Sequence, residues 1–265
     1  MLSFGVLQAQ VTFLGSGTSH GVPMIGCTCD VCQSLDPRDR RMRPSVYLEV
    51  DGGPSVLIDT STDLRQQALA YGVQKVDAIL VTHSHADHIM GMDEVRRFNV
   101  LNHGAIPLHA SASTAKELKR IFQYVFEPPS QTGGGIPQID LHEVDGPFQV
   151  GALTVQPVPL LHGTLPILGF RFGKFAYLTD ASTIPDEAWP MLEGLDVLVL
   201  NALRHRPHPT HFSLSGAAAV VERLRPTRAF FTHVCHDLPH EVTNRSLPDG
   251  MALAFDGLRF AVEVG

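Results

Sequence analysis

A dense run of metal-ligand side chains, His83-Ser84-His85-Ala86-Asp87-His88, directly follows an apolar segment that ends at Thr82. Neutral imidazole nitrogens and carboxylate oxygens suit Zn, Mn or Fe, whereas calcium is bound mostly by oxygen. His83 and His85 occupy alternate positions and can point to one side, and a turn into a helix carries Asp87 and His88 towards a second position. The run therefore predicts two neighbouring transition-metal positions.

A second cluster is made of cysteines, because Cys27, Cys29 and Cys32 lie within six residues of one another. Thiols this close together do not suggest a disulfide framework. Three thiolates and one further donor form a closed tetrahedral zinc site, which stabilises a fold and leaves no open position for water. On the residues alone, Cys235 is a candidate fourth ligand, which would make the site all-thiolate.

The elements that must position these residues are short strands with helices between them. Apolar and β-branched runs predict strands at 11–14, 45–50, 55–58, 78–82, 153–157, 169–172, 175–179, 197–200 and 229–232. Helical patterns cover 64–71, 93–101, 114–125 and 214–224, and residues 128–137, with three consecutive glycines, predict a loop beside the site. Strands in both halves with helices outside them predict an α/β fold, a β-sandwich in αββα layers.

Composition narrows the classes of protein and partner. The 265 residues, 44% hydrophobic and 18% charged, predict one globular domain over 1–265 without a linker. The net charge of −7 argues against a long nucleic acid, although Arg204 and Arg206 can hold one phosphate. The chain shows neither a bilayer-spanning apolar run nor a basic secretion signal, so we expect a cytoplasmic protein without a membrane partner. The oligomeric state stays open, a homodimer included.

The HxHxDH run after a strand resembles the metallo-β-lactamase superfamily. In that superfamily a later histidine, a bridging aspartate and a final histidine each lie at a strand end, and His162, Asp180 and His233 match them in order. The resemblance implies an enzyme, a hydrolase with two divalent metals. It assigns His83, His85 and His162 to one metal. It assigns Asp87, His88 and His233 to the other, with Asp180 bridging both. Asp59 matches the superfamily's orienting aspartate, and as a strand-end residue it fits a turn cap equally well.

The resemblance also implies the chemistry. Two metals about 4 Å apart lower the pKa of a shared water towards neutrality and neutralise charge in a phosphorane-like transition state. Hydroxide is then the nucleophile, and Asp87 is counted with the catalytic residues.

The segment Ser16-Gly17-Thr18-Ser19-His20-Gly21-Val22-Pro23, followed by the CxCxxC run, resembles the PhnP-like cyclic-phosphate phosphodiesterases of the carbon–phosphorus lyase pathway. In that family the three cysteines bind a structural zinc with the second histidine of a TH-x-x-H segment. Thr232-His233-Val234-Cys235-His236 matches it, so the resemblance implies His236 as the fourth ligand. It also assigns to His211 the protonation of the leaving oxygen or the stabilisation of an oxyanion. His205 and His208 are predicted to face solvent.

The leading functional hypothesis is hydrolysis of a small phosphodiester, with a cyclic ribose phosphate as one candidate substrate. An alternative is the tRNA 3′-end-processing endonuclease branch, which normally adds a basic RNA-gripping arm that this sequence does not show. A lactone or amide hydrolase is a third hypothesis, because the metals alone do not distinguish phosphorus from carbon centres. A non-catalytic metal-binding protein is least favoured, since every expected ligand is present.

Overall fold

The structure is a computed structural model that describes residues 7–127 and 135–265. Most of the loop predicted at 128–137 therefore lies outside the described residues. The first of two seven-stranded sheets has the order β14-β1-β2-β3-β4-β5-β6. Its strands are β1 (Gln8–Gly15), β2 (Ser45–Val50), β3 (Ser55–Ile58), β4 (Ala78–Leu80), β5 (Ile106–Ala110), β6 (Ile139–Glu143) and β14 (Arg259–Glu263).

The second sheet has the order β13-β12-β11-β10-β9-β8-β7. Its strands are β7 (Phe148–Val150), β8 (Leu153–His162), β9 (Leu165–Phe172), β10 (Phe175–Leu178), β11 (Val197–Asn201), β12 (Arg228–Thr232) and β13 (Met251–Leu253). In each sheet one half is antiparallel and the other parallel, the parallel halves being β3 to β6 and β10 to β13.

Helices cover the outer faces: α1 (Leu64–Tyr71), α2 (Ala86–Ile89), α3 (Val95–Asn102), α4 (Ala112–Ile121), α5 (Gln123–Phe126), α6 (Leu214–Leu224) and α7 (His240–Ser246). Two helices are capped at their N-termini by serine side chains. The Ser111 hydroxyl accepts from the Thr114 N–H at the start of α4, and the Ser213 hydroxyl accepts from the Gly216 N–H at the start of α6. No helix among the described residues is long and apolar enough to cross a membrane.

Alternation of side chains along the central strands produces the layers. In β11, Val197 and Val199 pack into the core between the sheets, whereas Leu198 and Leu200 pack into the outer core under α6. The same alternation places Leu57 of β3 in the outer core of the first sheet. A strand that is buried on both faces has a nearly continuous apolar sequence, as β11 and β3 have. The predicted αββα sandwich is confirmed.

Several predicted bounds change for identifiable reasons. The predicted helix 114–125 is broken between α4 and α5 at Phe122, which leaves helical geometry (ψ 44°) and buries its ring. The predicted helix 93–101 begins instead as a 3₁₀ turn, Met92–Glu94, before α3. β8 runs on to His162 through Pro157 and Pro159, which lack the N–H that a ladder uses.

The parallel pairing sets the place of the site. β3 and β4 run in the same direction in one sheet, and β10, β11 and β12 do so in the other. The carboxyl ends of parallel strands lie at one edge of a sheet. The residues that follow these strands, Asp59, His83, Asp180 and His233, are therefore delivered to neighbouring edges of the sandwich.

Candidate active site

Three residues at these strand ends have an unusual backbone. Asp59, Asp180 and His233 have φ of 63°, 60° and 55°, the left-handed region that side chains other than glycine seldom adopt. Such a conformation costs about 1–3 kcal/mol and persists only where surrounding structure enforces it. All three belong to one polar cluster, so the strain is concentrated where the chain turns side chains into the site.

The structure brings together all seven residues predicted to bind active-site metals. Their candidate ligand atoms form two groups, each with atoms within 4.8 Å of one another: His83, His85 and His162; and Asp87, His88, Asp180 and His233. A third group, His162, Asp180 and His211, overlaps both. Six of the seven are buried, and His85 is exposed. The division matches the two predicted ligand sets, and the exposed His85 marks the side open to solvent.

Asp180 lies between the two groups. Its Oδ1 is 3.4 Å from Nε2 of His88, and its Oδ2 is 3.2 Å from Nε2 of His233 and 3.9 Å from Nε2 of His83. One carboxylate thus faces imidazoles of both sets, which is the arrangement that a bridging ligand requires.

Hydrogen bonds at Nδ1 orient two of the imidazoles, those of His88 and His162. Nδ1 of His88 is 2.7 Å from Oδ2 of Asp59, and Nδ1 of His162 is 2.7 Å from the carbonyl of Thr210. Because the acceptor takes the Nδ1–H, the lone pair of Nε2 in each ring is left for a ligand. Asp59 also accepts from the Thr82 amide and hydroxyl at 2.8 and 2.9 Å, so it orients His88 and closes the turn after β3.

Two buried nitrogens indicate what the cluster can hold. Nε2 of His83 and Nε2 of His88 have no hydrogen-bond partner among the described residues. Leaving such a group unsatisfied costs about 1–3 kcal/mol, so an orphaned lone pair requires an explanation. Both atoms face carboxylates in a set of imidazole and carboxylate donors, which suits Zn, Mn or Fe. The residues fit divalent cations.

The electrostatics favour the same interpretation. Burial opposes a charge on Asp180, yet His233 and His88 hold the pKa of its carboxyl well below the usual value. Burial also opposes a charge on His88, but the carboxylates of Asp180, Asp59 and Asp87 raise its pKa. Burial lowers the pKa of His83. The buried carboxylates thus favour a positive charge at this position, and a divalent cation would supply it.

His211, the predicted catalytic histidine, borders the cluster. Its Nε2 is 3.3 Å from Oδ2 of Asp180, and burial lowers its pKa to about 4. His205 is exposed, as predicted. The prediction that His208 faces solvent is wrong, because His208 is partly buried and its Nδ1 lies 3.2 Å from Nδ1 of His211. The Thr210 carbonyl that holds His162 draws this loop inwards.

The cysteine cluster forms a separate four-residue group. The Sγ atoms of Cys27, Cys29 and Cys32 lie 3.2, 3.3 and 3.5 Å from Nδ1 of His236. The Sγ of Cys235 lies outside this group and accepts from the Asp237 N–H at 3.3 Å. Of the two candidate fourth ligands, the structure therefore places His236 with the thiols. Burial raises the pKa of Cys32 to about 11, whereas the hydrogen bond from the Cys32 backbone lowers the pKa of Cys29 to about 7. A bound cation would favour the thiolate form of Cys32.

Two structural contributors to the site were missed in the sequence. The buried guanidinium of Arg41 donates to the carbonyls of Cys235 and Leu238, at 2.8 and 2.7 Å, and pairs with Asp39 at 2.9 Å. Nothing distinguishes it in the Arg-rich run 38–43. Asn201 accepts from the Ala181 N–H at 2.7 Å and so fixes the turn after Asp180. Its signal was available, since Asn201 is the polar end of an apolar strand.

Comparisons with known proteins agree with this geometry. A family model described as a β-lactamase superfamily domain matches residues 55–234. The crystal structure of a new diphosphatase from the PhnP family superimposes with a TM-score of 0.91 at 49% identity, over 97% of this chain and 99% of that one.

Two curated relatives carry other names. An octanoyltransferase from Porphyromonas gingivalis is 38% identical over 254 residues, which are 94% of this chain but 51% of the relative. The chain thus spans about half the length of that protein. A coenzyme PQQ synthesis protein B from Methylobacterium nodulans is 28% identical over 223 residues, 72% of each chain.

We predict that Asp180→Ala loses metal from both groups, because its carboxylate faces imidazoles of each. The metal content per chain, measured by mass spectrometry after dialysis, should fall at both active-site positions. Asp140→Ala, which removes a carboxylate on the surface, is the control and should keep the full metal content. Full occupancy in Asp180→Ala would refute a shared ligand.

We further predict that Cys29→Ser and His236→Ala each lose one zinc per chain and unfold about 5–10 °C lower, because binding to a structural zinc contributes to folding. Both variants should still bind two other divalent cations. Cys235→Ser is the matched control and should keep its zinc, since its sulfur lies outside the group. The reverse pattern, with zinc lost in Cys235→Ser and kept in His236→Ala, would overturn the assignment.

Proposed function

Because the chain belongs to the metallo-β-lactamase superfamily and is a PhnP-like, metal-dependent hydrolase, we propose that it hydrolyses small phosphodiesters, cyclic ribose phosphates included. The observation that carries the proposal is the His211 imidazole, 3.3 Å from the Asp180 carboxylate at the border of the metal-ligand cluster. A hydrogen-bond donor at this position can stabilise charge on a phosphoryl oxygen in addition to the metals. The similarity to a PhnP-family diphosphatase over nearly the whole chain supports phosphorus chemistry.

We assign the two ligand groups to two cations, with His83, His85 and His162 on one, Asp87, His88 and His233 on the other, and Asp180 shared. When bound, such cations supply Lewis-acid charge to phosphoryl oxygens and activate a water molecule. Asp59, by accepting from Nδ1 of His88, keeps the other ring nitrogen directed at the cluster. The exposed edge of His85 leaves room for substrate on that side.

His211 acts in this proposal as a neutral hydrogen-bond donor. Its pKa of about 4 leaves the ring uncharged at neutral pH. Nε2 lies 3.3 Å from a carboxylate oxygen of Asp180, which can only accept, so the ring proton belongs on Nε2. Nε2–H then faces the cluster and can stabilise charge on a phosphoryl oxygen. Of the two roles predicted from the sequence, oxyanion stabilisation is therefore favoured over proton transfer.

A second candidate activity is hydrolysis of a carbon ester or thioester. It is favoured by the name of the octanoyltransferase relative, although this chain corresponds to only about half of that protein. A tRNA-processing activity is disfavoured by the net charge of −7. A comparison of kcat/KM for phosphodiester and carbon-ester substrates decides between the two candidate activities.

We expect the protein, reconstituted with Zn, Mn or Fe, to hydrolyse bis(p-nitrophenyl) phosphate, a ribosyl cyclic phosphate and a nucleotide diphosphate diester. The kcat/KM for the best phosphodiester should exceed that for an octanoyl thioester or a lactone by at least about a hundredfold, because the proposed function requires the site to bind the phosphoryl transition state preferentially. Asp180→Ala, assayed in parallel, excludes contaminating activity. A preference for the thioester would replace this proposal with the second candidate.

For His211→Ala we expect kcat to fall about 10²–10³-fold, with metal content unchanged, since one oxyanion donor is lost. The loss should be similar for a ribosyl and an aryl leaving group, and His211→Gln, which keeps an N–H donor, should recover part of it. His205→Ala, an exposed histidine on the same loop, should behave as wild type. A loss confined to the ribosyl leaving group would instead make His211 a proton donor.

A further inference from the structure

The carboxylate of Asp256, which lies outside the metal-ligand cluster, accepts three hydrogen bonds. Its Oδ1 accepts from the N–H and the hydroxyl of Ser16, at 2.8 and 2.7 Å, and its Oδ2 accepts from the N–H of Met42 at 2.6 Å. Hydrogen bonds to a carboxylate are stronger than those between neutral groups. Ser16 and Met42 flank the loop that carries the cysteines, so Asp256 closes that loop at its base.

Asp256 is itself held in place by both sheets, because it lies in the segment between β13 and β14. The Ala254 N–H donates to the Phe231 carbonyl of β12 at 2.8 Å. The Gly257 N–H donates to the Phe13 carbonyl of β1, also at 2.8 Å. The carboxylate therefore has a fixed position, and it determines where the groups that donate to it can lie.

Ser16 connects Asp256 to the backbone beside His233. The Ser16 carbonyl accepts from the Val234 N–H at 3.0 Å, and the Thr18 N–H donates to the Val234 carbonyl at 3.3 Å. Val234 directly follows His233 in the chain. A continuous series of hydrogen bonds thus runs from the Asp256 carboxylate to the residue next to a candidate metal ligand.

The imidazole of His233 depends on its backbone more than those of His88 and His162 do. Their Nδ1 atoms have hydrogen-bond partners, whereas the buried Nδ1 of His233 has none within the described ranges. The His211 ring stacks on His233 at 4.8 Å between centroids, which restricts the tilt of the ring more than its displacement within the plane. The φ of His233 is 55°, a conformation that surrounding structure must enforce. The backbone therefore sets the position of its Nε2.

We propose that Asp256 is a positioning residue for the reaction and that it acts on His233 through Ser16 and Val234. Its carboxylate does for the backbone of His233 what the Nδ1 acceptors do for the rings of other ligands. Partners that orient metal ligands typically contribute about ten- to a hundredfold to metal affinity or activity. The inference rests on the proposed function for its effect on turnover, whereas its effect on metal binding needs only the candidate ligand group.

Zinc retention tests this inference in Asp256→Asn, which keeps the shape of the side chain but replaces one accepting oxygen by an amide donor. Zinc-loaded protein is equilibrated with a chelator at graded free-zinc concentrations, and the zinc per chain is measured by mass spectrometry. The free-zinc concentration at which one active-site position is half occupied should rise about ten- to a hundredfold, with the cysteine-bound zinc retained. Asp249→Asn, an exposed carboxylate in the turn before β13, is the matched control and should behave as wild type.

Combination with His233→Ala tests the route. If Asp256 acts through His233, adding Asp256→Asn to His233→Ala should weaken zinc binding no further, within about twofold. Ser16→Ala removes one of the three donors and should show a smaller loss in the same direction, which keeps the test decisive if Asp256→Asn does not fold. Unchanged zinc affinity in Asp256→Asn, or an equal loss in the wild-type and His233→Ala backgrounds, would overturn the inference.

Turnover of bis(p-nitrophenyl) phosphate provides a second measurement. In Asp256→Asn the kcat should fall at limiting zinc and largely recover at saturating zinc, with KM unchanged, because the carboxylate acts on a metal ligand and not on the substrate. A raised KM at saturating zinc would contradict a positioning role. Since zinc retention is measured without substrate, failure of the wild-type protein to hydrolyse phosphodiesters would count against the proposed function alone.

Discussion

The carboxylate of Asp180 is 2% exposed where the edges of two sheets meet. A charge in that position costs several kcal/mol unless opposite charges and hydrogen-bond donors surround it. The Thr179 hydroxyl donates to it at 2.6 Å, and imidazoles from both ligand groups face it, His83 from one and His88 and His233 from the other. Because those imidazoles come from β4 of one sheet and β12 of the other, the charge can be balanced only when both sheets are correctly placed. The sandwich and the site are thus mutually dependent.

The same dependence explains why strained residues are tolerated. The left-handed residues of the site, Asp59, Asp180 and His233, each follow a strand whose apolar residues are buried. Rigid strands hold the chain on one side of each turn, and hydrogen bonds hold it on the other, as with Asn201 beside Ala181. A strain of about 1–3 kcal/mol per residue is small compared with the burial of two seven-stranded sheets. The strain is therefore compatible with a fixed arrangement of ligands before any cation binds.

Local patterns in the sequence were enough to predict the parts of the site that local chemistry determines. The run from His83 to His88, the hairpin 45–58 and the helix Leu214–Leu224 are found as predicted, because turn residues and apolar periodicity fix them within a few residues. β5 was missed because Pro107 interrupts its pattern, and β14 because its pairing partner β1 is about 250 residues away in the chain. Contacts made through backbone carbonyls, such as that of Thr210 with His162, cannot be predicted from the sequence, because every residue type has a carbonyl.

The position of the cysteine cluster follows from one short segment. His233 belongs to the metal-ligand group and His236 to the thiol group, so only two residues separate the two sites. Both of those residues are fixed through their backbone, Val234 by donating to the Ser16 carbonyl at 3.0 Å and Cys235 by accepting from Arg41. The loop that carries the cysteines starts directly after β1 and must therefore pass beside the active-site edge. A cation bound by the thiol group would therefore also stabilise the turn at His233 and, through it, the arrangement of the candidate metal ligands.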